Sequence, residues 1–534
     1  MSGHPSTICV RCGVSISRDT DSIGSSPVHE LLNSNLSPST DIQMDAALHA
    51  LENLENEISA MDEQISQMYD AMQRMQERRS ALHDYAAAHK GLVSSFRRFP
   101  AEILSKIFLH SLPALHRDMS EVEPPLLLER VCRRWKDISR STPALWSYIK
   151  IHFWEGQEDF DRRIVSTYLT RAGNHPLTIS LGSRMAVSSS LNMDHPALAL
   201  LVAHCERWHA AYLHLSSKVL LQLSEIRGRL PSLHKLHIYT TTEEDDITIV
   251  AFADAPMLRY FDTSSSIFLD VVTSKKLLLP WAGLTSLVID ERMVGHIWAI
   301  LQDCPNLIQL EARIAANDPG SNLPHLILPH LCSLSLRLPK QYKVLSTLTL
   351  PSLKHATITI TTTYGEDEDM SVAWHVRSGL SAMFSQSNCA LLELTLRDDA
   401  YIFQSEDLIA CLEPSPSLIK LDVTEYISSI LPQTFLDYIG HDGAETPLVP
   451  QLGALVLDAR HESFPWHLLP DFLNSRRVIG DRLEVLRRLR MLVNEAGYPA
   501  AGVPDFVQDA LCALQLEGMV AEVVNERDLL VDWL

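Results

Sequence analysis

The chain of 534 residues contains no uninterrupted apolar run of about 18 residues, the length a helix needs to cross a bilayer. Its opening, "MSGHPSTICVRCGVSISRDT", lacks the basic-then-apolar order of a secretory signal. Nine cysteines, at positions 9, 12, 132, 205, 304, 332, 389, 411 and 512, are too thinly spread for a disulfide framework. A reducing, cytoplasmic and/or nuclear setting is therefore expected, with no membrane contact. Basic excess is missing too: 66 acidic side chains outweigh 45 basic ones, for a formal net charge of −21. Generalised attraction to nucleic acid or to an anionic membrane is then not expected, and a protein partner or plain solubility is.

Compact catalytic signatures are also absent. No Walker A loop, Rossmann glycine fingerprint, G-x-S-x-G elbow or kinase motif occurs, so neither a catalytic role nor a cofactor is expected. Cys9 and Cys12 form a lone C-x-x-C with only His4 and His29 as conceivable further ligands, whereas a structural zinc needs four. His204, Cys205 and His209 are crowded, but a repeat edge explains them better than a metal site. His461, Glu462 and His467 have the wrong spacing for a zincin, and Pro465 interrupts the helix that would align the two histidines. The acidic runs "TTEEDD" and "GEDEDM" read as solvated loops, since calcium sites need a fixed oxygen spacing. No metal is expected.

What is present divides by composition. Residues 1–45 are rich in Ser, Thr, Asp and Pro, too polar to offset ordering entropy, and are expected as a disordered tail. Residues 46–90 carry a heptad seam: Leu51, Leu54, Ile58, Met61, Ile65, Met68, Met72, Met75, Leu82 and Ala86 alternate steps of three and four, with Arg79 the one interruption and Gly91 a candidate stop. Self-association through a coiled coil and packing of one long helix on its own chain both remain open for this seam.

Residues 96–150 predict two amphipathic helices. In "FRRFPAEILSKIFLHSLP", Pro100 suits a first helical turn, Glu102 suits the positive end of the helix dipole, and Ile103, Leu104, Ile107, Phe108 and Leu112 form an apolar stripe. After a loop containing Pro124 and Pro125, Leu128, Val131, Cys132, Trp135 and Ile138 recur at helical spacing until Pro143. This places Trp135 in a buried stripe, with Arg133, Arg134, Lys136 and Arg140 directed away. Ten Lys or Arg against six Asp or Glu make this segment locally basic, which favours encounter with an acidic protein.

Beyond a connecting region at 151–205, a phrase x-L-x-x-L-x-L recurs nine times over 206–460, as in "LPSLHKLHI", "CPNLIQLEA" and "SPSLIKLDV". Its first leucines, at 233, 258, 284, 307, 331, 353, 391, 418 and 452, are separated by 25, 26, 23, 24, 22, 38, 27 and 34 residues. Each phrase predicts one short parallel strand with alternate leucines turned inward. Trp208, 25 residues before Leu233, suggests a degenerate first unit that caps the stack. Leu483, Val485, Leu486, Leu489 and Leu492 indicate a helix, "VPDFVQDALCALQLEGM" another, and residues 461–534 are expected as a C-terminal helical cap.

The order of parts resembles the F-box family, in particular fungal F-box proteins with an N-terminal coiled coil and irregular leucine-rich repeats. The words that carry it are Pro-x-Glu-Ile-Leu-x-x-Ile-Phe from Pro100 and Val-Cys-x-x-Trp from Val131, with the repeats behind them. The resemblance implies a multidomain fold: an all-α coiled coil and F-box helices followed by an α/β leucine-rich-repeat solenoid. It also implies a non-catalytic, substrate-recognition subunit of a Skp–cullin–F-box ubiquitin ligase. Pro100, Ile103, Leu104, Ile107, Phe108, Val131, Cys132 and Trp135 would then supply the adaptor-facing or core apolar set, and the repeats would hold an unidentified protein target. A coiled-coil and leucine-rich scaffold with no ligase partner is the alternative.

Overall fold

The computed structural model describes residues 7–8, 15–16, 25–34, 36–93, 95–112, 124–153, 156–182, 195–239, 248–263, 277–316, 323–339, 343–361, 373–398, 405–424, 439, 448–459, 464–476, 486–493, 503–516 and 518–525. The chain divides into two compact units, Met1–Ile107 and Phe108–Leu534.

The first unit is dominated by one helix, α1 (Asp41–Val93). It is longer than the predicted 46–90 at both ends. Gly91 lies inside it, because one glycine lowers helix propensity by about 1 kcal/mol and does not by itself end a 53-residue helix. In the segment expected as a disordered tail, Thr7–Ile8 pairs antiparallel with Ser15–Ile16, and His29–Leu32 forms one helical turn. The second predicted helix of the chain, α2 (Ala101–His110), begins after Pro100, whose carbonyl accepts the Leu104 N–H.

The second unit is built on an open parallel sheet. Fourteen strands lie side by side in chain order. They are β1 (Tyr148–His152), β2 (Leu177–Gly182), β3 (Trp208–His214), β4 (Lys235–Tyr239), β5 (Tyr260–Asp262), β6 (Ser286–Met293) and β7 (Gln309–Ala316). The remainder are β8 (Ser333–Pro339), β9 (His355–Thr361), β10 (Glu393–Asp398), β11 (Lys420–Thr424), β12 (Ala454–Asp458), β13 (Arg488–Val493) and β14 (Val520–Asn525). Strand, crossover and parallel strand repeat along the chain, so a long N-terminal helix is followed by an open α/β array.

The repeated phrase explains the array. All nine of its first leucines, from Leu233 to Leu452, have no exposed surface. Three and five residues later come inward-facing positions such as Leu236 and Ile238, or Leu421 and Val423, each at most 1% exposed. Alternation puts these on one face of every strand, and stacking merges them into one continuous core. The backbone repeats the bond as well as the side chain: the Ile308 carbonyl accepts Cys332 and Ser333 N–H groups, and the Cys332 carbonyl accepts those of Lys354 and His355.

Three expectations change. The connecting region is part of the array: β1, β2 and β3 pair in register ahead of β4, so Trp208 does not open the stack. Trp146, Ile149 and Ile151, all at most 4% exposed, already have the spacing of the phrase, with tryptophan in place of its first leucine. At the far end the predicted cap continues the sheet, because Arg488–Val493 is strand rather than helix and pairs with β12 and β14. Leu486, Leu489 and Met491 are the phrase again, and a methionine in the last slot hid it. The helix expected in 503–519 forms at Asp505–Leu516.

Candidate functional site

The predicted docking residues separate into two sets. In α2, Leu104 and Phe108 are 0% and 1% exposed, while Ile103 and Ile107 are 42% and 36% exposed. Residues four apart on a helix lie one above the other, so α2 carries two neighbouring apolar rows, one buried and one open. Pro100, just before the helix, is exposed.

The second predicted helix is two helices, α3 (Pro124–Val131) and α4 (Arg133–Arg140). Cys132 is the break. Its backbone is extended, and its Sγ accepts the Trp135 N–H at 3.5 Å as the N-cap of α4. Helical counting across Cys132 therefore fails, and Val131 and Cys132 do not share the buried face with Trp135 and Ile138. Both are exposed, Trp135 is half-buried, and Ile138 is buried. Pro124 and Pro125 occupy the first turn of α3 rather than a loop, where their missing N–H groups cost nothing. In α3 the split seen in α2 recurs: Leu128 is buried, while Leu127 and Val131, four apart, are 44% and 59% exposed.

The chain's own packing fixes α3 and α4. The Phe108 and Trp135 rings meet at 4.7 Å. Glu129 of α3 takes Arg140 Nε at 2.9 Å and Arg171 Nη1 at 2.7 Å, the latter from α5 (Glu158–Ala172). The Arg171 guanidinium lies 4.2 Å from the Trp146 ring centre, and Trp146 Nε1 donates to the Ser139 carbonyl at 2.8 Å. Trp146 leads into β1, so these bonds tie the helices to the start of the sheet. Neither Glu129 nor Arg171 was singled out by sequence reasoning, since a salt bridge across 42 residues leaves no periodic trace.

The other candidate surface is the face of the sheet opposite the leucines. Strand register sets Tyr212, His237 and Asp262 side by side on β3, β4 and β5. Tyr260 Oη donates to Asp262 Oδ2 at 3.0 Å, and His237 Nδ1 lies 3.2 Å from the same oxygen. Burial and the Asp262 carboxylate push the Tyr260 phenol up, which keeps it a donor. The His214 ring stacks on His237 at 5.4 Å and meets Tyr239 at 5.4 Å. Farther along, Asp290, Arg313 and Arg337 are register neighbours, with Arg313 Nη1 3.6 Å from Asp290 Oδ2. Tyr260 stands two places after Leu258, and the others stand four or six places after a phrase leucine or, on β3, after Trp208, so aligning the phrases and reading those columns would have found them.

Three buried cysteines are far from reactive. Burial pushes the Cys205 and Cys389 thiols up, and that of Cys304 up to about 12, far from a reactive thiolate. His204 contacts the Leu200 carbonyl and His209 the His234 ring, so neither joins Cys205 in a ligand set. Among the described residues no group of three or more His, Cys, Asp or Glu is placed to hold a metal, and no helix is long and apolar enough to cross a membrane. Cys9, Cys12, His461, Glu462 and the runs "TTEEDD" and "GEDEDM" lie outside the described residues. No family model matches the chain, and no curated protein matches it.

Proposed function

We propose that this protein is the substrate-recognition subunit of a Skp–cullin–F-box ubiquitin ligase, docking a Skp-type adaptor through α2 and α3 and a protein target through the sheet. The observation that carries this reading is the pair of apolar rows on each helix. Leu104, Phe108 and Leu128 are buried, whereas Ile103 and Ile107, and separately Leu127 and Val131, are 36% to 59% exposed. Single exposed apolar side chains are ordinary. Aligned pairs on helices whose other apolar row is already buried favour a partner.

Pro100, Ile103, Ile107, Val131 and Cys132 are then the adaptor-facing residues, and Leu104, Phe108 and Trp135 hold the helices in shape. The role of the chain in the ligase is positional, with no bond made or broken by it. On the target side, His214, Tyr239, Tyr260 and the Arg313 and Arg337 pair offer exposed or half-buried polar groups on a rigid support backed by the buried His237 and Asp262, the arrangement that a recognition surface uses. Co-purification tests the reading. The intact chain should retain a Skp-type adaptor, and Ile103→Asp with Ile107→Asp should release it. An intact chain that binds no such adaptor returns the protein to the class of scaffolds without a ligase.

A further inference from the structure

Among the described residues, the apolar seam of α1 is largely exposed. Within this 53-residue helix Ala71 is buried, while Leu51, Ile58, Ile65, Met72 and Leu82 are each between 46% and 59% exposed. A helix of that length, about 80 Å at 1.5 Å per residue, with one continuous apolar edge needs a second helix along all of it.

Charge identifies the occupant and its direction. Residues 41–66 contain seven Asp or Glu and no Lys or Arg, while residues 67–93 contain three Asp or Glu and four Lys or Arg. Two parallel copies would lay the acidic half against the acidic half. They would also bring Arg79, at a core position of the seam, against its own copy, and Glu57 against Asp62, the flanking position five residues on. Two antiparallel copies lay the acidic half against the other half. Their core layers join residues whose numbers add to 133: Leu51 with Leu82, Ile58 with Met75, Met61 with Met72, Ile65 with Met68. In that register Arg79 faces Leu54, far from its copy, and Glu57 comes beside Arg78, twice by symmetry.

We infer that α1 pairs with α1 of a second copy as an antiparallel coiled coil centred between Ile65 and Met68. This stands apart from the ligase reading, since it uses no residue of α2 or α3.

Cysteine cross-linking of the full chain tests it. Ile58→Cys and Met75→Cys, mixed in equal amounts under mild oxidation, should yield an interchain 58–75 disulfide in peptide maps, and Met61→Cys with Met72→Cys should do the same. The chain without added cysteines is the control for its native thiols. In the antiparallel pair, position 58 is 17 residues from its own copy, about 25 Å along the axis, so Ile58→Cys alone should not link to itself. Self-linking of Ile58→Cys, which parallel copies would give, overturns the inference. So does sedimentation of the native chain as a monomer at tens of micromolar, which would leave the seam to the chain itself or to another protein.

Discussion

The Phe108 ring lies 4.7 Å from the Trp135 ring, inclined at 53°, joining the last turn of α2 to the first turn of α4. Phe108 is the buried member and Trp135 the half-exposed one. Phe108→Ala should cost about 3 kcal/mol, the loss of a buried ring together with the cavity left behind. Hydrogen exchange would read this as faster exchange across 124–140 with little change in β6 to β12.

Glu129 serves two cations, so its loss should exceed that of a surface ion pair. Glu129→Ala is expected to destabilise the start of the sheet by about 2 kcal/mol, since it leaves the partly buried Arg171 without its carboxylate. Arg140→Ala, whose side chain is 47% exposed, should cost clearly less than Glu129→Ala. Equal effects in thermal melts would contradict the assigned order.

Arg476 is 1% exposed, and its guanidinium donates to the carbonyls of Ile439, Val449 and Leu452 at 3.4, 3.2 and 2.9 Å. It thereby holds the long connection before β12. Burial pushes it down to about 10, so it remains charged at neutral pH. Arg476→Met should cost about 3 kcal/mol because the Ile439 and Leu452 carbonyls lose the guanidinium donor in a dry place, while that of Val449 keeps the Leu452 N–H. Chemical denaturation of the full chain checks this.

Asp161 and His195 are both buried, with His195 Nε2 3.6 Å from Asp161 Oδ2. Burial pushes the Asp161 carboxyl up to about 6, with Glu158 adding to it, and pushes the His195 ring below its ordinary range. A carboxyl with a raised pKa in the fold stabilises it most below its unfolded pKa, near 4, and that contribution is lost as pH rises through about 6. Asp161→Asn should therefore gain on the native chain between pH 4 and pH 7, by about 1–2 kcal/mol after allowing for screening. His195 is present in both proteins and largely cancels in the difference. Melting curves over that range that stay parallel would refute the assignment.

How far the sequence reveals this molecule depends on repetition. Leu233 and its eight equivalents were legible because the phrase x-L-x-x-L-x-L keeps its internal spacing while the steps between phrases vary from 22 to 38 residues. β13 escaped because Met491 fills the leucine slot and "EVLRRLRML" also has helical spacing. The alternation of "ALWSYIKIHF" reads as extended, but β1 was not read as a repeat because Trp146 stands in place of its first leucine. The two amphipathic segments were found, but the division of the second was not: a one-residue break at Cys132 turns Val131 outward, and a helical count cannot see an extended residue. Which apolar row is inside is decided by packing, since Ile103 and Leu104 are equally apolar and adjacent in sequence, yet 42% and 0% exposed. The sheet's polar face becomes legible only when the phrases are aligned and read column by column, because steps of 22 to 38 residues scatter side chains such as Arg313 and Arg337 that the strands bring together.

The most direct test compares the two rows of α2 in one binding experiment. Calorimetric titration of a Skp-type adaptor into the intact chain should show saturable binding. Ile103→Asp with Ile107→Asp should abolish it, with thermal melting changed by less than about 1 kcal/mol, because both side chains already face water. Retained affinity in that variant, or absence of binding by the intact chain, would contradict the docking role assigned to the open row.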